Sequence, residues 1–385
     1  MCQDDRVTTG AYPAGRSVAQ RVQEHFIRHL ASAGAAAGVM TAPLPDLAAI
    51  EEVIEAGFWT SLRREEAYVP KISIALLPPA FTTHPLLFER RLPLLPHLLA
   101  RVAPAVERPG IHLGTWRDGA DLQVWGTTRQ LPRYCLVLEV AAPGLLVVKQ
   151  HRGGDHTKFA NVAVLQGDLV KVVDEHASSL PDCPSLLASM LGFDSPASWG
   201  DSVNVLVQLA VSMRAHGRGG LLLVVRRDSD AWRNSIVSPI PYALSPPYTG
   251  LAELMDRAAA DGDERLWKDD LTRTVETIAG LTAVDGAALV TERYELLAFG
   301  AKIARRRGAP PVEQVTVTEP IEGGYPMIVH PSELGGTRHL SAAQFIHDQH
   351  DAVALVASQD GRFTIFAWSP CEEMVHAHRV ETLLL

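Results

Sequence analysis

Two short stretches carry residues able to do chemistry together. The first is Leu334-Gly335-Gly336-Thr337-Arg338-His339-Leu340-Ser341-Ala342-Ala343, which sets two glycines, a hydroxyl, a guanidinium and an imidazole at an expected helix start. Backbone N–H groups and the helix dipole favour an anion there, and a phosphate suits such a place. The second, Val284-Asp285-Gly286-Ala287-Ala288-Leu289-Val290, lies about fifty residues upstream and puts one carboxylate at a strand margin. Gly286 and Ala287 are small enough for a ligand or metal to approach the backbone closely. Each residue also has a plainer reading: Asp285 as a turn carboxylate, Arg338 and His339 as an ion pair and a helix-terminal histidine, and Ser341 as a cap rather than a ligand contact. Arg305-Arg306-Arg307 would suit a polyanion but reads as a solvated run. His347, Asp348, His350 and Asp351 are read as a polar helix end rather than a metal cluster.

The elements that must hold these stretches follow a helix–strand alternation. Val203 to Met213 has helical apolar spacing and stops at His216-Gly217-Arg218-Gly219-Gly220. Leu221 to Val225 is a continuous apolar run, as expected of a strand covered on both faces. Arg226 to Pro247 reads as a proline-rich loop, followed by helical stretches from Leu251 to Ala260 and from Trp267 to Ile278. Strands are expected around Asp285 to Val290 and Tyr294 to Phe299, then a Pro/Gly-rich loop to Pro331. A last hairpin joins Ala352–Ala357 to Phe363–Trp368 across Ser358-Gln359-Asp360-Gly361. That order is an α/β layer arrangement.

Upstream, Ser17 to Ala33 is an expected amphipathic helix, with Val18, Val22, Phe26, Ile27 and Leu30 on one face. Gly34 to Pro45 reads as a linker, and Asp46 is placed to cap a helix bearing Leu47, Ile50, Val53, Ile54, Phe58 and Leu62. From Lys71 short β-like segments take over, with Pro85 to Leu99 read as an irregular helix. Arg117-Asp118-Gly119-Ala120 is a hairpin turn whose flanking Trp116 and Trp125 are packing residues before they are base-stacking ones. The division is a helical segment at 1–70, a β-rich module at 71–180 and an α/β domain at 190–385, with a Pro- and Ser-rich boundary near 178–195.

Composition narrows the function. The 385 residues are 47% hydrophobic and 21% charged, an ordinary globular balance, and the formal charge of −9 speaks against a protein that coats nucleic acid. No apolar run is long enough for a membrane span, and Met1 to Arg6 lacks a signal-peptide pattern, so the cytoplasm is the expected compartment. The four cysteines, Cys2, Cys135, Cys183 and Cys371, are scattered and form no metal or disulfide pattern.

The succession of a Gly-Gly-apolar strand at Gly219–Val225, Asp285-Gly286-Ala287, Gly336-Thr337-Arg338-His339 and a Ser358-x-x-Gly361 hairpin resembles the diadenylate cyclase superfamily over residues 200–370. The resemblance implies an α/β fold with a mixed β-sheet flanked by helices, preceded by a helical segment and a β-rich N-terminal module. It implies that Asp285 serves a Mg²⁺ or Mn²⁺ ion brought with nucleotide, that Gly286 and Ala287 line the nucleotide, that Gly336, Thr337, Arg338 and His339 hold phosphates, and that Gly335 and Ser341 belong to the same nucleotide site. The cyclases carry an arginine where this chain has Leu340 and a glutamate where it has Gln359. One positive and one negative charge are therefore missing, and loss of a phosphate donor weakens catalysis more than binding. Together with Phe58-Trp59, Arg63-Arg64-Glu65-Glu66 and the Leu122–Gly126 strand, the whole chain is most similar to the cyclase-related sensor family labelled DACNV. The expectation is a nucleotide-binding sensor that acts with an effector partner or by self-association, and the resemblance implies a setting in bacterial signalling or defence against invaders; an active cyclase is the alternative.

Overall fold

A computed structural model describes residues 11–33, 40–64, 68–153, 159–175, 177, 205–258 and 264–385. The expected boundary at 178–195, Cys2, Cys183, the pair Glu65-Glu66 and residues 34–39 of the expected linker lie outside them. The chain is mixed α/β and divides into two compact units, Met1–Val173 with Leu385, and Asp174–Leu384. No helix among the described residues is long and apolar enough to cross a membrane.

In the first unit, helices α1 (Pro13–Ala33), α2 (Leu47–Ser61) and α3 (Pro96–Val102) accompany strands β1 (Ile72–Leu76), β2 (Leu86–Pro93), β3 (His112–Asp118), β4 (Asp121–Thr128), β5 (Leu136–Ala142), β6 (Leu145–His151), β7 (Phe159–Gln166) and β8 (Leu169–Val172). The strands form one sheet in the order β2-β4-β3-β1-β5-β6-β7-β8. Helix α1 begins at Pro13, earlier than Ser17, because proline is preorganised for a first helical turn and its missing N–H costs nothing there. His25 takes the buried place expected of Ile27, which is 46% exposed. Asp46 caps α2 by accepting from the Ala49 N–H at 2.7 Å. Ile50, Val53 and Ile54 of α2 are at most 1% exposed, each contributing roughly 1.5–3 kcal/mol by leaving water. Both long helices pack on the β5–β8 half of this sheet, so the segments read as 1–70 and 71–180 share one core.

Residues 85–99 differ from the irregular helix expected. Leu86–Pro93 is an edge strand and only Pro96–Val102 is helical. An edge strand has one unpaired side, which tolerates Pro93 and leaves Leu86 and Leu87 more than half exposed. The Asp-Gly turn is as expected, with Gly119 at φ +67. Trp125 is buried, and its indole N–H donates to the Leu77 carbonyl at 2.8 Å.

The second unit contains α4 (Val205–Ala215), α5 (Gly250–Ala258), α6 (Glu264–Leu281) and α7 (Thr337–Asp348). Its strands are β9 (Gly220–Val225), β10 (Tyr242–Tyr248), β11 (Ala287–Thr291), β12 (Leu296–Ala301), β13 (Val315–Thr318), β14 (Met327–Val329), β15 (Val353–Ala357), β16 (Phe363–Ser369) and β17 (Met374–Arg379). They form a nine-stranded sheet in the order β10-β12-β11-β9-β15-β16-β17-β13-β14. Strand β9 is buried throughout, parallel to β11 and antiparallel to β15. Helix α7 covers one face through Ala342, Ala343, Phe345 and Ile346, which join Leu221, Leu223, Val225 and Leu289 in one core. Strands β10, β13 and β14 arise in stretches expected to be loop, and β17 extends the last hairpin.

One packing contact gives a direct test. A Cβ on Gly114 would lie 1.9 Å from the Trp125 Cζ2, so the glycine clears the space that the indole fills. Gly114→Ala is expected to lower unfolding free energy by about 1–3 kcal/mol in urea titration. An unchanged midpoint and slope would show that the indole does not need that space.

Candidate functional site

The candidate site collects at the amino-terminal margin of β9. Parallel pairing aligns Leu222 with Ala288, antiparallel pairing sets Gly220 against Ala357, and Ala287 of β11 faces Ala301 of β12. These registers bring Gly219, Asp285, Gly286, Lys302 and Gln359 to neighbouring strand ends. Gly219 sits at φ +72, and a Cβ there would lie 2.8 Å from Nη1 of Arg338 and 3.4 Å from the Ala357 carbonyl. Only a residue without a side chain leaves that path open for the guanidinium.

Gly336 precedes helix α7 at its N-cap, with φ −74 and ψ −166, and makes no side-chain cap, so it does not satisfy the first-turn N–H groups with a side chain. Gly335, Gly336 and Thr337 are exposed, while Arg338 and Ser341 are half-buried. Gly286, at φ +120, packs against backbone: a Cβ would lie 2.5 Å from the Gly300 carbonyl carbon. Its glycine identity therefore lets β11 and β12 approach each other. Ala287 is buried beneath this margin.

Charge at the margin is arranged around Asp285. Its side chain is 93% exposed, and its Oδ2 lies 2.5 Å from Nζ of Lys302. The hydrogen bond and charge of Lys302 hold the Asp285 carboxyl below the usual carboxylate range, and the Arg338 guanidinium adds to that effect. On the adjoining turn, the Arg218 N–H donates to Nδ1 of His216 at 3.1 Å, which leaves Nε2 as the protonated nitrogen facing Thr282 Oγ1 at 3.4 Å. Burial, with help from Arg218 and Arg338, lowers the His216 pKa and keeps that ring neutral. The Gln359 amide donates to the Arg218 carbonyl at 3.3 Å.

His339 occupies a different environment. It is 3% exposed, its ring lies edge-on to Phe366, and Nε2 is 3.5 Å from Thr364 Oγ1. Burial pushes its pKa down to about 4. Gly335 folds back over the ring, where a Cβ would lie 2.5 Å from Nδ1. The helix start therefore offers Thr337 and Arg338 outward while His339 anchors it inward.

A Mg²⁺ or Mn²⁺ ion at Asp285 requires oxygen ligands in number. The charged neighbours acting on this carboxylate are Lys302 and Arg338, both cations. The residues present do not fit a resident divalent ion. Sequence reasoning did not assign Lys302, Arg218 or His216 to the site and noted Gln359 only as an uncharged residue; Lys302 directly follows β12, a position with no signal of its own in sequence.

A cavity of about 380 Å³ lies at the other end of β9, lined by Val225, Trp232, Arg226, Arg306 and Asp348 among others. Asp348, at the end of α7, is buried and accepts from the Arg306 N–H at 2.6 Å and from Gln344 Nε2 at 3.0 Å. His350 stacks on Trp368 at 3.6 Å. The polar helix end expected from sequence is therefore a hydrogen-bonded corner.

Residues 39–129 match a family model described as "Probable sensor domain DACNV". The match covers about a quarter of the chain, within the first unit, and does not include the Asp285 and Arg338 stretches. A search of curated proteins found no match. Among solved structures, the chain is similar to a hypothetical membrane spanning protein from Bacillus cereus, at 17% identity over 49% of this chain and 68% of that one. The TM-score of 0.27 is too low to support an argument about fold.

The buried imidazoles set a pH dependence. His339 and His378 are both lowered by burial to about 4, so each is neutral in the folded protein and takes up protons more readily when unfolded. Their contribution is fully present above a pH of about 6.5 and is lost as pH falls towards 4. For His339 alone the loss is on the order of 3 kcal/mol. Thermal unfolding followed between those pH values should show a shallower acid decline for His339→Gln than for the parent chain; superimposable profiles would mean that this ring is already charged or solvated.

Proposed function

We propose that this chain is a nucleotide-binding sensor, catalytically weak or inactive, whose ligand is a nucleotide or nucleotide-derived small molecule. The observation that supports the reading is that the registers of β9, β11 and β12 bring Gly219, with the Arg338 guanidinium beside it, and the Asp285–Lys302 pair to one margin of the sheet. A sensor role also agrees with the family description matched by residues 39–129.

The chemistry follows from the residues at the margin. Arg338 supplies a planar, permanently charged donor suited to phosphate oxygens, and the uncapped start of α7 adds backbone N–H groups. Thr337 and Ser341 supply hydroxyls, while Gly335, Gly336, Gly286 and Ala287 keep the backbone accessible or closely packed. His339 positions the helix start from beneath. Leu340 adds no charge and is 40% exposed, so the helix start carries one arginine where cyclase-like chemistry calls for two. Phosphoryl transfer depends on neutralising charge in the transition state, and this site is poorly supplied for it. Binding asks less. A Mg²⁺ or Mn²⁺ ion belongs to this reading only as a companion of bound nucleotide.

Signal output would then pass to an effector partner or through self-association, in a setting such as defence against invaders. The net charge of −9 favours a small ligand over a polynucleotide.

Isothermal titration with ATP, ADP, GTP and cyclic di-AMP tests the reading. At least one should bind, and Arg338→Met should weaken it by tenfold or more while leaving the melting temperature within about 2 °C. Failure of the whole set to bind would remove the nucleotide reading. Incubation with ATP and Mn²⁺ should give no cyclic product above background; product that disappears in Asp285→Ala would make the chain a cyclase instead.

A further inference from the structure

Lys302 is fixed by the sheet rather than by chance on the surface. Antiparallel pairing sets Ala287 against Ala301, so Lys302, which follows β12, and the two residues before β11 are neighbours across the margin. The Lys302 carbonyl accepts from Val237 N–H at 2.8 Å, and the Ala304 N–H donates to the Ser235 carbonyl at 2.9 Å. Both flanks of the lysine backbone are thus held, while its ammonium reaches Asp285 Oδ2 at 2.5 Å. Resting on the nucleotide reading, we propose that Lys302 takes the cation position at Asp285, so that this site receives a phosphate-bearing ligand free of metal.

The charge count explains why. Asp285, Lys302 and Arg338 together carry one net positive charge, which already attracts a phosphate. A divalent ion at Asp285 would stand beside two cations, each repelling it, and would have to give up hydration for a single carboxylate. The exposed Lys302–Asp285 pair adds little to folding stability, so the lysine can shift towards an incoming phosphate without unfolding cost. Its three N–H donors serve Asp285 and a ligand oxygen together. Metal-free anions carry more negative charge than their Mg²⁺ complexes and are the better match.

Titration of the full chain with ADP and with ATP, in EDTA and again in excess Mg²⁺, decides the matter. The expected result is binding in EDTA at least as tight as in Mg²⁺, weakened tenfold or more in EDTA by Lys302→Ala and retained by Lys302→Arg. Binding that appears only with metal, or an unaffected Lys302→Ala, overturns the proposal while leaving the nucleotide reading intact. Should neither nucleotide bind in either buffer, the nucleotide reading falls and Mn²⁺ alone, followed by its electron spin resonance signal, decides the role of Lys302. Uptake by Lys302→Ala that needs Asp285, with none by the parent chain, retains the lysine as the resident cation; any other pattern overturns it.

Discussion

The second unit depends on one buried strand. Every residue of β9 is buried, which obliges each backbone N–H and C=O to find a partner in β11 or β15. Slippage by one residue would turn Leu221, Leu223 and Val225 away from α7 and expose the opposite set, so the register is held by the whole core. That register fixes where the strands begin and end. Gly219, Asp285, Gln359 and Lys302 lie on separate loops, yet each is one or two residues from a strand end anchored to β9 directly or through its neighbour. A margin of polar loops gains its precision from an apolar strand that carries none of its charge.

Legibility in the sequence followed burial. Leu221–Val225 was readable because a strand covered on both faces must be uniformly apolar, and α2 because Asp46 and the Ile50, Val53, Ile54 spacing point the same way. The Asp118-Gly119 turn was readable because its φ of +67 suits glycine. Edge strands were not. Tyr242–Tyr248 contains Pro246 and Pro247 and is mostly exposed, and Met327–Val329 follows a glycine-rich stretch. Both pair along one side only, so neither needs apolar alternation nor a full set of N–H donors. The same freedom hid Leu86–Pro93 in the first unit.

The site divides along similar lines. Asp285 and Arg338 were proposed as a pair from the order of two short glycine-bearing motifs, and the fold sets Asp285 before β11 and Arg338 beside Gly219, which precedes the neighbouring β9. The inward turn of His339 was not, since a helix position one residue on from Arg338 points to another face, and only the position of Phe366 on β16 shows that this face is core. Lys302 was hidden differently. A lysine after a strand is ordinary in sequence, and it becomes part of the site only when pairing of β11 with β12 sets it beside Asp285.

Gln359 shows how an uncharged side chain can serve the scaffold. Its amide nitrogen donates to the Arg218 carbonyl, which ties the β15–β16 turn to the turn that precedes β9. A carboxylate at that position has no hydrogen to give and would face the carbonyl oxygen with like polarity. The amide therefore holds Arg218 and Gly219 in the arrangement that leaves room for Arg338. With neutral Leu340 on the helix, neutral Gln359 on the turn and Lys302 at the carboxylate, the margin keeps a modest positive balance and a fixed shape. On the proposed reading, such a balance suits holding an anion better than driving one through a highly charged transition state, because binding needs charge matched to the ground state and catalysis needs charge that counts most where the reaction is least stable.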